Sequence, residues 1–290
     1  MIPKFKLPVS SPEAQGVASQ AVMALVESLD QLKHPNSFMI MRNGFAIAEG
    51  AWSPYTLDSK HMLFSLSKSF ASSAIGLAIE EGLLKLDDKV VDFFPDRVPA
   101  GMQESFRRMS VRHLLTMSSG HAYCPLFDII ANTPDGDYVK AFLSLKLEFE
   151  PGSRFVYNSA ATYMLSAIVS KVSGKSLVEY LRPRLLEPLG IENFHWDSCP
   201  KGVCLGGWGY HLSVREIANF AQMLLDKGVW HGRQLIPRAY FEMATSKQID
   251  NSMNESPDWK LGYGFQFWRS QRNAFRGDGA FGQYALAIPD

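Results

Sequence analysis

Cysteine is scarce in this 290-residue chain: Cys124, Cys199 and Cys204 are too few for a disulfide framework. A cytoplasmic home, where thiols stay reduced, is the expectation. Cys199 and Cys204 could pair in an oxidising setting, but two buried or half-buried thiols suit the composition better. An excess of charge is missing too, since 29 basic side chains balance 29 acidic ones. Nothing therefore argues for nucleic acid or an anionic membrane as a partner. No apolar run approaches the roughly 20 residues of a spanning helix. The opening MIPKFKLPVS lacks the apolar core of a secretory signal, so none is expected.

The motifs of metal and phosphate chemistry are absent as well. The histidines are scattered without a His-x-x-x-His pair, and Gly174-Lys175-Ser176 lacks the upstream glycine of a phosphate loop because Val169 stands there. There is no Gly-x-Ser-x-Gly, which removes the nucleophile elbow of an α/β-hydrolase. No metal site and no organic cofactor are expected. Internal repeats and low-complexity segments are also lacking, and the ordinary apolar fraction fits a globular protein with a sizeable core.

What is present begins with FSLSKSFASS, Phe64 to Ser73. Ser65 and Lys68 stand three apart, which on a helix places hydroxyl and amine on one face, roughly 5 to 6 Å between Cβ atoms. Burial and the positive end of the helix dipole both lower a lysine pKa, so Lys68 could accept the Ser65 proton. The Ser65 N–H, free at a helix start, could meet an oxyanion. A pattern with two fixed positions also occurs by chance. Here, however, it opens a segment from Phe70 to Ile79 that is apolar nearly all round, the mark of a buried central helix.

Upstream, Val22, Leu25, Val26, Leu29 and Leu32 recur at helical spacing after the Ser11-Pro12-Glu13 start signal. His34-Pro35-Asn36 stops that helix. Ser37 to Met41 and Phe45 to Ala48 then read as strands joined through Asn43-Gly44, a hairpin signal. From Leu83 to about Thr245 helix signals dominate: Ser110 caps Val111 to Ser118, Gly174 closes Ala160 to Val172, Ser176 opens Leu177 to Leu186, and Ser213 with Glu216 boxes Ile217 to Leu225. Strand character returns at Tyr263 to Arg269 and Gln283 to Ile288, around a glycine-rich stretch with Gly277, Gly279 and Gly282. Asp250 to Trp259 reads as a loop. The fold class is α/β of the α+β type, an antiparallel sheet flanked by helices with a mainly helical insertion.

A second candidate site is Tyr157-Asn158-Ser159, between the Pro151-Gly152 turn and a capped helix. Tyr157 offers a phenol that could relay protons, and Asn158 or Ser159 a hydrogen bond to Lys68 or substrate. A buried tyrosine followed by an Asn-Ser helix cap is the alternative.

Ser65-Leu66-Ser67-Lys68, VRHLLTMSSGH at Val111 to His121, YNS at Tyr157 to Ser159, LLEPLGI at Leu185 to Ile191 and GDGAFGQ at Gly277 to Gln283 follow one another in an order that resembles the serine hydrolases related to class C β-lactamases and penicillin-binding D,D-peptidases. The resemblance implies a sheet domain from residues 1–62 and 246–290, with a mainly helical domain, 63–245, carrying Ser65, Lys68 and Tyr157. It implies Ser65 as acylated nucleophile, Lys68 as its proton acceptor, Tyr157 as proton relay, and an oxyanion hole from the backbone N–H groups of Ser65 and Ala280. Ser159, Asn158, Gly277, Asp278 and Gly279 are the expected substrate contacts.

Three departures shape the expected substrate. Ser159 replaces the asparagine of the family's Tyr-x-Asn, Gly277 stands where Lys-x-Gly or His-x-Gly puts a cation, and the chain stops at Ile288-Pro289-Asp290, where relatives add a strand and a helix. The last implies an uncovered sheet face, with self-association or marginal stability. A serine hydrolase forming an acyl-enzyme with a small ester or amide is the expectation. A β-lactamase or D,D-peptidase, and a turnover-deficient penicillin-sensing module, are the alternatives.

Overall fold

The computed structural model describes residues 7–192 and 195–289. Its first helix, α1 (Ser19–Asp30), lies near the surface with none of its residues fully buried, and leads to the hairpin β1 (Ser37–Arg42) and β2 (Phe45–Ala51). Asn43 and Gly44 turn it with φ of 51° and 79°, both in the left-handed region that a tight hairpin turn demands. The short β3 (His61–Met62) then feeds a 3-10 turn, Phe64–Leu66, which runs into α2 (Ser67–Glu80).

Helix α2 is the axis of the molecule because the sequence gives it no polar face to leave in water. Leu63, Leu66, Phe70, Ala74 and Ile75 are fully buried around it. Burying each large apolar side chain contributes about 1.5 to 3 kcal/mol. Its serines are buried but satisfied: Ser69 Oγ donates to Gln266 O at 3.1 Å and Ser72 Oγ to Phe265 O at 2.7 Å. Gly76 takes the Tyr240 ring directly, since a Cβ there would come within 2.4 Å of Tyr240 Cδ1.

The middle of the chain adds α3 (Val111–Leu115), α4 (Leu126–Asn132), α5 (Tyr138–Leu143), α6 (Ser159–Ser173) and α7 (Leu177–Leu181), the last running into a π-turn at Arg182–Leu186. Helices α3, α6 and α7 lie against one another or α2. Capping works as the side chains dictate, with Ser176/Glu179 and Ser213/Glu216 closing reciprocal boxes and Gly174 ending α6 at φ 68°.

This span is less helical than its sequence suggests. It also holds β4 (His195–Trp196) and β5 (Tyr210–Leu212), which join β3 in the order β3-β5-β4, then α8 (Val214–Leu225), the hairpin β6 (Val229–Trp230) and β7 (Arg233–Gln234), and α9 (Arg238–Thr245). These strands are too short to show a period of two. At the end of the chain, β8 (Trp268–Arg269), β9 (Phe275–Gly279) and β10 (Gln283–Ala287) form an antiparallel sheet in the order β10-β9-β8. The glycine-rich stretch is therefore itself a strand and the middle one of its sheet, not a spacer. The strand expected over Tyr263 to Arg269 shrinks to its last two residues, because Gln266 turns left-handed at φ 65°. Helix α8 lies against both β1 and β10.

Candidate active site

Strand β3 delivers the chain to Ser65 through Phe64, whose φ of 46° is unusual for a residue with a Cβ and marks a tight turn at the proposed nucleophile. Leu63 N donates to Tyr210 O at 2.7 Å, tying that turn to β5. A 3-10 turn nearly eclipses residues three apart, so Ser65 stands over Lys68. Lys68 Nζ is 2.8 Å from Ser65 Oγ and donates to Gly207 O, also at 2.8 Å. The amine is buried, and desolvation pulls its pKa down to about 7, with the Asp278 carboxylate among the groups opposing the shift. Near neutrality a substantial share of Lys68 is an uncharged amine that can take a proton from Ser65.

Tyr157 completes the group. Val156 N donates to Met117 O at 2.8 Å, holding the preceding backbone, and the Tyr157 ring stacks on Trp268 with centroids 5.5 Å apart. Its ring centre is 5.0 Å from Lys68 Nζ. Burial pushes the phenol pKa up, and a hydrogen bond with Ser65 opposes that only in part. A phenol so placed keeps its proton at neutral pH and can donate it, leaving Lys68 as the group that can accept one.

Strand β9 forms the facing wall. A Cβ on Gly279 would stand 2.0 Å from Leu63 O, and one on Gly277 2.5 Å from both Leu66 Cδ1 and Ser69 Oγ. These glycines let β9 lie directly on the start of α2, which brings the following residue, Ala280, to the Ser65 turn. Arg276 and Asp278 point to the other face as a buried pair, Nε to Oδ2 2.9 Å. Arg276 also donates to Asp258 O and Ser270 Oγ and lies over the Trp259 ring. Burial raises the Asp278 carboxyl pKa, against the pull of Arg276 and Lys68. At the mouth, Phe281 is exposed and packs on Phe64, ring centroids 5.1 Å apart.

Of the expected substrate contacts, Gly279 and Ser159 are half-buried beside the group, and Gly277 and Asp278 are buried behind it. Asn158 has to be reassigned. Its Oδ1 caps α6 by accepting from Ala160 N at 2.9 Å and Ala161 N at 3.3 Å, and its Nδ2 donates to Ser119 Oγ at 3.2 Å. Fully buried and turned into the core, it cannot meet a substrate. Ser119 in turn bonds His121, a histidine that burial keeps neutral, its pKa held down to about 4. Two neighbours had no signal in the sequence. Gly207 supplies the carbonyl that holds Lys68, and Cys124 Sγ accepts from Ser159 N at 3.3 Å.

The sequence model of the family described as Beta-lactamase matches residues 27–290. Among curated proteins, the chain is similar to 6-aminohexanoate-dimer hydrolase of Paenarthrobacter ureafaciens, 25% identical over 71% of this chain and 56% of the relative. It is also similar to lovastatin esterase of Penicillium rubens, 26% identical over 50% of this chain and 41% of the relative. Among solved structures, a penicillin-binding protein homologue from Caulobacter crescentus has the same fold at a TM-score of 0.74, with 20% identity over 98% of this chain and 91% of that one. The chain thus spans roughly two fifths to just over half the length of the two curated relatives named.

Proposed function

The chain belongs to the beta-lactamase family, and on that premise we propose a serine hydrolase that forms an acyl-enzyme on a small, neutral ester or amide. The observation that carries the reading is the buried Lys68 amine 2.8 Å from Ser65 Oγ, with its pKa drawn down to about 7. Neutral Lys68 takes the Ser65 proton as Oγ attacks the carbonyl carbon. The oxyanion is met by the N–H groups of Ser65 and Ala280, and Tyr157 passes the proton to the leaving group. Water then cleaves the acyl-enzyme by the reverse sequence of proton transfers. A positioned base is worth roughly 10²- to 10⁴-fold, and each oxyanion donor about 10²- to 10³-fold.

Preference for neutral substrates rests on Gly277. Where the family's Lys-x-Gly or His-x-Gly places a cation, that group can meet a substrate carboxylate with a charge-assisted hydrogen bond worth about 1.5 to 3 kcal/mol, or roughly 10- to 100-fold, and Gly277 supplies none. Arg276 is held by Asp278, Asp258 and Ser270 and is not a substitute. The family relationship to an amide hydrolase and an esterase agrees with hydrolysis of an amide or ester, and the apolar Phe64–Phe281 contact agrees with a neutral substrate.

The sheet domain is proposed as residues 1–62 and 246–290 and the mainly helical one as 63–245, with α8 reaching across to the sheet. Self-association through the exposed side of β10, and a cytoplasmic setting consistent with three free thiols, belong to the same proposal. Among the described residues no helix is long and apolar enough to cross a membrane. The test is a panel of p-nitrophenyl acetate, p-nitrophenyl butyrate and nitrocefin. The esters are expected to lead in kcat/KM. A lead for nitrocefin that Arg276→Ala abolishes would move the protein to the lactamases, and labelling without turnover of any substrate would make it a sensor.

A further inference from the structure

The β4–β5 pair carries a cluster that the acyl-transfer site does not use. His195 opens β4 and Asp197 follows two residues on, so both side chains emerge on one face. On β5, His211 is the direct antiparallel partner of His195. One ligating atom from each of the three residues lies within 4.8 Å of the others, and His195 Nε2 is already 2.7 Å from Asp197 Oδ1.

The supports behind these atoms are those that ligands need. His211 Nδ1 faces two carbonyl acceptors, Gly209 O at 3.1 Å and His195 O at 3.4 Å. In the neutral ring Nδ1 is therefore the donor, and the lone pair falls to Nε2. Asp197 N donates to Gly209 O at 2.9 Å, and a Cβ on Gly209 would fall 2.7 Å from that of Asp197. Only glycine leaves room for the carboxylate there. Among the described residues Asp197 forms its ion pair with His195 and not with a lysine or arginine. The His195 ring is mostly exposed.

We propose that His195, Asp197 and His211 bind a divalent transition-metal ion of the zinc class that clips β4 to β5. Two imidazoles and one carboxylate suit zinc better than magnesium or calcium, which favour all-oxygen sites. Water takes the fourth position of the tetrahedron. The role is structural. Strand β5 and the segment before it hold Leu63 through Tyr210 O and Lys68 through Gly207 O, so fixing β4 to β5 stiffens the support of the Ser65 turn without touching substrate. The sequence hides the cluster because strand register, not spacing along a helix, brings His211 beside His195.

Titration calorimetry of the whole chain with zinc chloride, cobalt(II) absorption spectra and thermal melts test this. One zinc per chain, a Tm that rises with zinc, and a cobalt spectrum without a thiolate charge-transfer band are expected. Asp197→Asn and His211→Ala should each weaken binding at least about tenfold and erase the Tm rise, while Cys124→Ala leaves binding intact. Should His211→Ala fail to fold, His195→Ala at a mostly exposed position gives the same readout. A parent that binds no zinc, binding that survives these variants, or binding lost with Cys124→Ala overturns the assignment.

Discussion

Desolvating an amine whose close partners are Ser65 Oγ and the Gly207 carbonyl costs the fold stability, and the cost depends on pH. The folded pKa of Lys68 is about 7, below the ordinary lysine value of 10.5 that stands for the unfolded chain. Between those values the unfolded chain holds a proton that the folded one lacks, so stability rises with pH there, by at most about 1.4 kcal/mol per unit. Below the lower value the penalty is present in full. Lys68→Met, close in volume and uncharged, is therefore expected to lower kcat/KM by roughly 10²- to 10⁴-fold and to raise the Tm. That gain should be larger at pH 6 than at pH 9, and an equal gain at both would remove burial of charge as its cause. Tyr157→Phe separates the second role. It should still be labelled by fluorophosphonate while losing ester turnover, since the proposed mechanism gives the phenol the leaving group and deacylation. Parent-like turnover would make Tyr157 a packing residue against Trp268.

At the scale of elements, the proposed oxyanion hole depends on the contact of β9 with the turn before α2. Gly279→Ala would drive a methyl into the Leu63 carbonyl, a backbone atom that cannot swing aside. Esterase activity is expected to be lost with Gly279→Ala. Gly277→Ala, which meets the buried ends of Leu66 and Ser69, should cost about 1 to 3 kcal/mol of overpacking. Urea melts and ester kinetics on the two variants check both. Parent-like activity in Gly279→Ala would mean that β9 does not shape the site, and a lysine at 277 is unsuited for the same steric reason.

The elements differ in how far the sequence reveals them. Helix α2 was legible because apolar residues surround it, the first hairpin because Asn43-Gly44 demands its turn, and α8 because Ser213 and Glu216 announce its start. Strand β9 was not, since Phe-Arg-Gly-Asp-Gly shows no alternation and its glycines serve contact with α2. Asn158 was misjudged because the same side chain can cap a helix or face a cleft, and only the packing of Ser119 and His121 decides between them.

Across the whole molecule, Ser65, Lys68 and Tyr157 come together from segments nearly a hundred residues apart, and the order of motifs was enough to pair them. Spacing says nothing about partners joined by a loop carbonyl or by strand register, which is why Gly207 beside Lys68 and the His195–His211 pair went unseen. The outer side of β10 also matters at this scale. Tyr284, Leu286 and Ile288 alternate outward and exposed, while Ala285 and Ala287 turn inward. Sedimentation velocity is expected to show concentration-dependent association that Leu286→Lys weakens, whereas a monomer at all concentrations would count against that surface.

The most direct measurement of the central claim is the rate of fluorophosphonate labelling against pH, with the modified peptide identified by mass spectrometry. One adduct on Ser65 is expected, forming faster as pH rises through about 7 and absent in Ser65→Ala. Labelling at Ser67, Ser119 or Cys124, or a rate on Ser65 that ignores the titration of Lys68, would contradict it.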